Sequence, residues 1–171
     1  MQRREFVLAG LACALSPAAQ ATPSLAALTA GLRRWGSGEF RRWGFLVYEA
    51  SLWASAEDPL QPPLALALTY KRQLDGAKIA EASVSEIRNL QMADASTLNA
   101  WGQQMATIFP DVKAGDRIVG VYLPGGARFF YNGQWIGSID DPAFARAFFA
   151  IWLDVRTSAP ELRSLLLTRP T

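Results

Sequence analysis

Residues 128–139 read RFFYNGQWIGSI and contain the strongest turn signal in the chain. Asn132 and Gly133 both tolerate a positive φ, and this dipeptide between two apolar runs is typical of a two-residue β-hairpin. The apolar residues on either side are aromatic or β-branched, which suits strands. The stretch therefore predicts a hairpin, and the rest of the fold is built around it.

The register of this turn decides which side chains share a face of the sheet. A two-residue turn predicts Phe130 opposite Trp135 on one side and Phe129 opposite Ile136 on the other. Both faces of the hairpin must therefore be covered by other parts of the protein. The aromatic surface is either solid core or the wall of a pocket between helices and sheet, and the pattern leaves both open.

Periodicity and turn signals predict the remaining elements. Gly36-Ser37-Gly38 predicts the turn of a first hairpin, whose second strand runs over 40–54. Further strands are predicted at 64–72 and 118–123. Helices are predicted at 77–91, from the N-cap Asp94 to Pro110, after the N-cap Asp141 with Pro142 at N1, and after a capping box at 158–161. This order of strands, two helices, strands and two helices predicts an α+β fold with a mainly antiparallel sheet.

The first 21 residues have the pattern of an export signal. Arg3 and Arg4 precede an apolar run over 6–15, and the residues at 19–21 read Ala-Gln-Ala, a small-x-small cleavage site. The arginine pair favours the twin-arginine route over the general secretory route, and both stay open. We therefore predict an exported, periplasmic protein with a leader at 1–21 and one domain at 22–171.

Composition excludes several classes of function. The chain has 17 basic and 15 acidic residues, whereas nucleic-acid binding needs a concentrated basic excess. It has no histidine, and its one cysteine is Cys13 in the leader, so imidazole or thiolate metal sites and histidine-dependent triads are excluded after cleavage. No later apolar run is long enough to span a bilayer. We predict no metal, no cofactor, no nucleic-acid partner and no stable membrane span after cleavage.

Polar side chains inside apolar strands are the candidate binding residues. Tyr48 lies in the strand at 40–54, and Tyr70 and Arg72 share one face of the strand at 64–72. A phenol and a guanidinium that point the same way would suit a carboxylate or an enolate oxygen. The alternative is that Arg72 is a solvated strand end and Tyr70 a half-buried core residue.

Four stretches together resemble the chalcone isomerase-like family, in particular its exported bacterial members. They are GSGEFRRWGFLVYEASLWA at 36–54, LALTYKR at 66–72, IFPDVKAGDRIVGVYLPGGARFFYNGQWIGSI at 108–139, and FARAFFAIWLDVRTSAPELRSLLL at 144–167. The most specific parts are Lys-x-Gly-Asp at 113–116, Asn-Gly at 132–133, and the aromatic helix followed by Pro-Glu-Leu-Arg. The resemblance implies an open-faced β-sandwich, a large antiparallel sheet with helices packed on one face.

The resemblance also implies two kinds of function. The family's plant enzymes close a chalcone to a flavanone without a cofactor, and relatives on the same fold bind fatty acids. Arg41, with Arg42 as a second match, falls where the enzymes have a catalytic arginine, and Tyr48 falls where they have a threonine. Ile151 replaces a later threonine or serine, and Trp101 is offered in the helical region of the site.

We therefore predict a protein that binds a small apolar or anionic, fatty-acid-like molecule without catalysis. The predicted ligand-binding residues are Arg41, Tyr48, Tyr70, Arg72 and Trp101. One alternative is a cofactor-free intramolecular lyase or isomerase acting on an enone, with a tyrosine or lysine as the acid. The other is a structural or partner-binding protein with a solid core. The sequence assigns no catalytic residue, no protein partner and no oligomeric state.

Overall fold

Six antiparallel strands form one sheet in which spatial order follows chain order. The computed structural model describes residues 22–169, so the predicted leader lies outside the described residues. The strands are β1 (Arg33–Arg42), β2 (Phe45–Ala54), β3 (Leu64–Tyr70), β4 (Arg117–Leu123), β5 (Gly126–Tyr131) and β6 (Gln134–Ile139). All neighbours pair antiparallel. Short turns join β1 to β2, β4 to β5 and β5 to β6, a loop over 55–63 joins β2 to β3, and helices separate β3 from β4.

Five helices accompany the sheet. They are α1 (Leu25–Leu28), α2 (Gly76–Asn89), α3 (Ala95–Ile108), α4 (Pro142–Leu153) and α5 (Pro160–Leu166). The four longer helices contribute to the main core on one face, as the sequence predicts, while the four-residue α1 packs on the opposite face. The predicted α+β class and open-faced sandwich are confirmed.

Helix α4 lies at the centre of the main core because it is apolar on most of its sides. Eight of its twelve residues are buried. Phe148 packs edge-to-face against Phe129 of β5, with ring centroids 5.3 Å apart. The helix begins as predicted, since Asp141 accepts hydrogen bonds from the backbone N–H groups of Ala143 and Phe144 and Pro142 occupies the first turn.

Two of the motifs that carry the family resemblance meet in space. Asp116 accepts hydrogen bonds from the side-chain amide of Asn132 at 3.0 Å, the backbone N–H of Lys113 at 2.9 Å and the hydroxyl of Tyr131 at 2.8 Å. These donors lower the pKa of the carboxyl, with the Asn132 amide contributing most. The contacts tie the start of β4 to the β5–β6 turn, which makes the two motifs structural.

The predicted turn of the first hairpin is wrong. Gly36 and Gly38 lie inside β1, and the chain turns instead at Trp43 and Gly44, whose φ values are 50° and 82°. A Cβ at Gly36 would collide with the backbone carbonyl of Leu165, and a Cβ at Gly38 would lie 2.7 Å from the Leu165 side chain. These glycines are therefore required by the close approach of α5 rather than by a turn.

Two local predictions at the aromatic hairpin and at α5 also need correction. Phe130 does pair with Trp135, at 5.6 Å between ring centroids, but a bulge sets Phe129 opposite Gly137 rather than Ile136. The predicted capping box at 158–161 does not form. The N-cap of α5 is Ala159 instead of Ser158, and the Ser158 hydroxyl donates a hydrogen bond to the Glu86 carboxylate.

Candidate ligand-binding cavity

A cavity of about 430 Å³ opens between strands β1 to β4, helices α2 and α4, and the segment before α5. Its volume lies within the range typical of small-molecule pockets. The inner wall is formed by buried apolar side chains, namely Leu68, Phe109, Ile118, Phe148, Ile151 and Trp152. No residue of 128–139 lines it. The aromatic hairpin is therefore part of the core. The cavity lies against other strands, on the face of the sheet that the longer helices cover.

Tyr48 and Tyr70 form the polar part of the sheet wall. They are directly opposed in the register of β2 and β3, and their rings meet edge-to-face with centroids 6.0 Å apart. The indole N–H of Trp152 in α4 donates a hydrogen bond to the Tyr48 hydroxyl at 3.0 Å. This bond crosses from helix to sheet and fixes the orientation of the Tyr48 ring.

Both phenols stay protonated at neutral pH. Burial raises the pKa of Tyr48 well above its ordinary value of 10.0, with the Trp152 hydrogen bond opposing and the charge of Glu86 adding to the shift. Burial likewise raises the pKa of Tyr70. The Tyr70 hydroxyl makes no hydrogen bond with any residue of 22–169. It is therefore a free donor facing the cavity.

The rim of the cavity is charged and polarised. Arg42, Arg72 and Lys78 contribute positive charge, and all three are exposed. Glu86 also lines the cavity, and its carboxylate accepts a 2.7 Å hydrogen bond from the Ser158 hydroxyl. Lys78 and Glu86 are eight residues apart on α2, which is about 12 Å along the helix axis. Lys78 is already paired with Asp75 at 3.6 Å, so an anion is favoured beside Arg42 and Arg72 and disfavoured beside Glu86.

Three of the five predicted ligand-binding residues line the cavity, namely Tyr48, Tyr70 and Arg72. Arg41 does not, because its neighbours in β1, Phe40 and Arg42, point into the cavity and strand alternation turns Arg41 away. Its guanidinium pairs with Glu39 at 2.9 Å, and both side chains are about half exposed.

Trp101 does not line the cavity either. It is buried in α3, where its indole N–H donates to the Asp141 carboxylate at 3.0 Å and its ring packs on Phe144 at 5.5 Å. It connects α3 to the start of α4, which is a structural role. A ligand-binding role for any of the five residues stays a prediction.

Sequence reasoning missed the helical wall of the cavity. The lining residues of α2 are Lys78, Ile79, Ala82, Ser83 and Glu86. They recur at the spacing of one helix face, so two charged residues and a serine interrupt an inward-facing stripe. In the sequence, this interruption is the signal that indicates a cavity-lining face on α2. Within 22–169, no cluster of three or more potential metal-ligating side chains occurs, and no helix is long and apolar enough to cross a bilayer.

Comparison with known proteins assigns the family. The family model described as chalcone isomerase-like matches residues 26–168, which is most of the chain. The chain belongs to the chalcone isomerase-like family. The sequence-based resemblance is therefore confirmed, and this chalcone isomerase-like chain carries the cavity on the face of the sheet where its helices pack.

The proteins similar to this chain include one from Haemophilus influenzae and one from Arabidopsis thaliana. An uncharacterized protein of Haemophilus influenzae is 29% identical over 135 residues, which cover 77% of this chain and 66% of that protein; the chain thus spans just under two thirds of that relative. The crystal structure of a fatty-acid binding protein of Arabidopsis thaliana superposes with a TM-score of 0.66 at 14% identity, covering 80% of this chain and 87% of the other. At this identity the likeness shows the fold alone.

Proposed function

We propose that this chalcone isomerase-like protein binds a small apolar acid of the fatty-acid type in its cavity and does not transform it. The observation that carries the proposal is a cavity of about 430 Å³ with a buried apolar interior and three cationic side chains at its rim. The Arabidopsis protein with the same fold is a fatty-acid binding protein, which supports this class of ligand.

The interior suits a hydrocarbon chain. Its aromatic and aliphatic side chains come from both the sheet and α4 and are already buried without a ligand. Each methylene moved from water into such a site contributes about 0.8 kcal/mol. The few polar groups inside are the two tyrosine hydroxyls and Ser83, whose own hydroxyl donates to the backbone carbonyl of Ile79. Affinity is therefore expected to come mainly from the chain.

The head group of such a ligand would lie at the cationic end of the rim. Arg42 and Arg72 have no carboxylate partner within 4.0 Å among the described residues, so a ligand carboxylate would not compete with an existing ion pair. The neutral Tyr70 hydroxyl can donate to the same carboxylate. Glu86 at the other end of the rim opposes an inverted orientation.

The chemistry of the cavity favours binding over proton transfer. Burial raises the pKa of its two phenols, so neither supplies a phenolate base near neutral pH and each gives up its proton less readily than an ordinary tyrosine. Lys71, a candidate acid for an enone reaction, pairs with Glu49 at 3.6 Å and does not line the cavity.

We also propose that the protein acts in the periplasm and is exported by the twin-arginine route. This rests on the leader pattern at 1–21, in which two arginines precede a moderately apolar run.

Titration with a fluorescent fatty acid tests the binding function. Residues 22–171, purified and stripped of lipid, are expected to bind cis-parinaric acid with saturation at one molecule per chain and to release it to unlabelled laurate. Ala82→Phe would obstruct the cavity from α2 and is expected to weaken binding at least tenfold. The matched control Ala100→Phe adds the same ring to an exposed position of α3 outside the cavity and is expected to have no effect.

A second pair of variants tests whether the carboxylate head group binds at the cationic rim. Arg72→Gln is expected to weaken fatty-acid binding more than it weakens binding of the corresponding fatty alcohol, because only the acid carries a charge. Arg117→Gln, at an exposed residue outside the cavity, serves as the control. Absence of saturable binding, or equal losses for Ala82→Phe and Ala100→Phe, would refute binding in this cavity. Turnover of a model enone that Tyr48→Phe abolishes would support the isomerase instead.

A further inference from the structure

The turn between β1 and β2 carries two unusually exposed aromatic side chains. Trp43 is 86% exposed and Phe45 is 64% exposed, so burial of these rings contributes little to folding. Trp43 also has a φ of 50°, in a region that favours glycine, asparagine or aspartate and is unfavourable for a bulky residue. Folding stability therefore does not account for a tryptophan here, and a contact outside the protein would.

Positive charge surrounds the same turn. Four cationic residues lie on this turn or beside it, namely Arg41, Arg42, Lys71 and Arg72. Two of them pair with a carboxylate, Arg41 at 2.9 Å and Lys71 at 3.6 Å. The other two have no such partner among the described residues, and their guanidinium groups lie over the exposed rings, Arg42 4.8 Å from Trp43 and Arg72 5.5 Å from Phe45. We call Trp43, Phe45, Arg42 and Arg72 the basic aromatic tip.

This combination matches the surface of an anionic bilayer. Tryptophan is enriched where head groups meet hydrocarbon, because its ring is apolar and its N–H polar. Arginine and lysine near such a surface are attracted to acidic phospholipids. A nucleic acid would require a longer basic track than a single turn provides. Exposed aromatic rings and unpaired guanidinium groups together at the β1–β2 turn therefore favour a lipid surface as the partner.

The tip also forms part of the cavity rim, since Arg42, Trp43 and Arg72 belong to both. We propose that the basic aromatic tip docks on an anionic phospholipid surface with the mouth of the cavity facing the bilayer. An apolar chain then moves between bilayer and cavity without crossing bulk water. The docking step is a property of the surface alone, whereas the transfer step rests on the proposed function.

Vesicle co-sedimentation tests the docking step. Both core clusters lie within residues 25–167, so residues 22–171 are used, which removes the apolar leader from the assay. The protein is expected to bind vesicles of phosphatidylserine and phosphatidylcholine in equal parts, to bind pure phosphatidylcholine far less, and to dissociate as salt is raised.

A paired variant separates docking from ligand binding. Phe45→Thr combined with Lys71→Gln alters the docking surface at two residues that do not line the cavity. Binding to anionic vesicles is expected to fall about tenfold or more, while cis-parinaric acid binding without vesicles stays unchanged. The matched control, Val155→Thr with Arg146→Gln, removes the same kinds of group from exposed positions elsewhere and is expected to leave both unchanged.

The two measurements fail independently. Absence of binding to anionic vesicles, equal binding to neutral vesicles, or equal losses in the docking and control variants would overturn the docking proposal, whatever the cavity binds. Vesicle binding by a protein that takes up no fatty acid in solution would overturn the proposed function and with it the transfer step.

Discussion

The hydrogen bond from the Trp152 indole to the Tyr48 hydroxyl provides a direct test of how dry the cavity is. Trp152 is buried and Tyr48 is partly buried, and the N–H···O distance is 3.0 Å. Tyr48→Phe keeps the ring and its contacts but leaves the indole N–H without an acceptor among the described residues. An unsatisfied buried donor costs about 1–3 kcal/mol. For a domain of this size we expect a loss of about 2 kcal/mol and a Tm lower by roughly 4–8 °C.

The neighbouring phenol supplies the control. Tyr70→Phe removes a hydroxyl from the same cavity, but that hydroxyl has no partner among residues 22–169, so the expected loss is below about 0.5 kcal/mol. Urea and thermal unfolding of lipid-free protein measure both variants. When Trp152 is already replaced by Phe, Tyr48→Phe should lower the free energy of unfolding by about 1 kcal/mol less than it does in the original protein. Equal effects of Tyr48→Phe and Tyr70→Phe would refute the reasoning, because water would then be replacing the lost acceptor.

Three further predictions concern stability. Burial raises the pKa of both cavity phenols above 10.0, so above that pH the folded protein holds more protons than the unfolded chain. The free energy of unfolding should therefore fall as pH rises. Absorbance should show these phenols ionising only when the protein unfolds. Gly36→Ala should cost about 1–3 kcal/mol in urea unfolding by forcing α5 away at Leu165, whereas Gly125→Ala, where a Cβ meets open space, should change little. Asp141→Ala should cost about 2–4 kcal/mol by the same assay, because it removes both the α4 cap and the Trp101 acceptor; a loss below that of an ordinary cap would contradict the Trp101 contact.

Most predictions that depended on local chemistry succeeded, although the capping box at 158–161 and the pairing of Phe129 with Ile136 did not. Asn132 and Gly133 form the expected turn, with φ of 48° and 83°, because a two-residue hairpin selects residues that tolerate positive φ. Asp94 caps α3 through the backbone N–H of Thr97 at 2.7 Å, and Asp141 caps α4. In each case the interaction closes within a few residues, so the sequence around it is sufficient.

Predictions that depended on distant contacts failed. Gly36 and Gly38 resemble turn glycines, yet their purpose is set by α5, more than 120 residues later in the chain. The turn lies instead at Trp43, which gives no turn signal in the sequence because a bulky side chain is unfavourable at positive φ. The sequence presents Arg41 and Arg42 as a pair, and only the structure shows that Arg42 lines the cavity and Arg41 does not. The cavity is likewise assembled from separate elements, and periodicity alone cannot show where the helices leave a gap.

The contact between α5 and β1 has a consequence for biosynthesis. β1 is the first strand to emerge from the ribosome, and the helix that packs on its glycines is the last described element to do so. Until α5 has been translated, this surface of β1 is bare, and no helix follows Ser158 and Ala159 to hold them at the side of the cavity. A nascent chain halted before residue 160 would therefore display apolar sheet and an unfinished pocket to chaperones and proteases. The seven residues of α5, Pro160–Leu166, thus decide when β1 is covered.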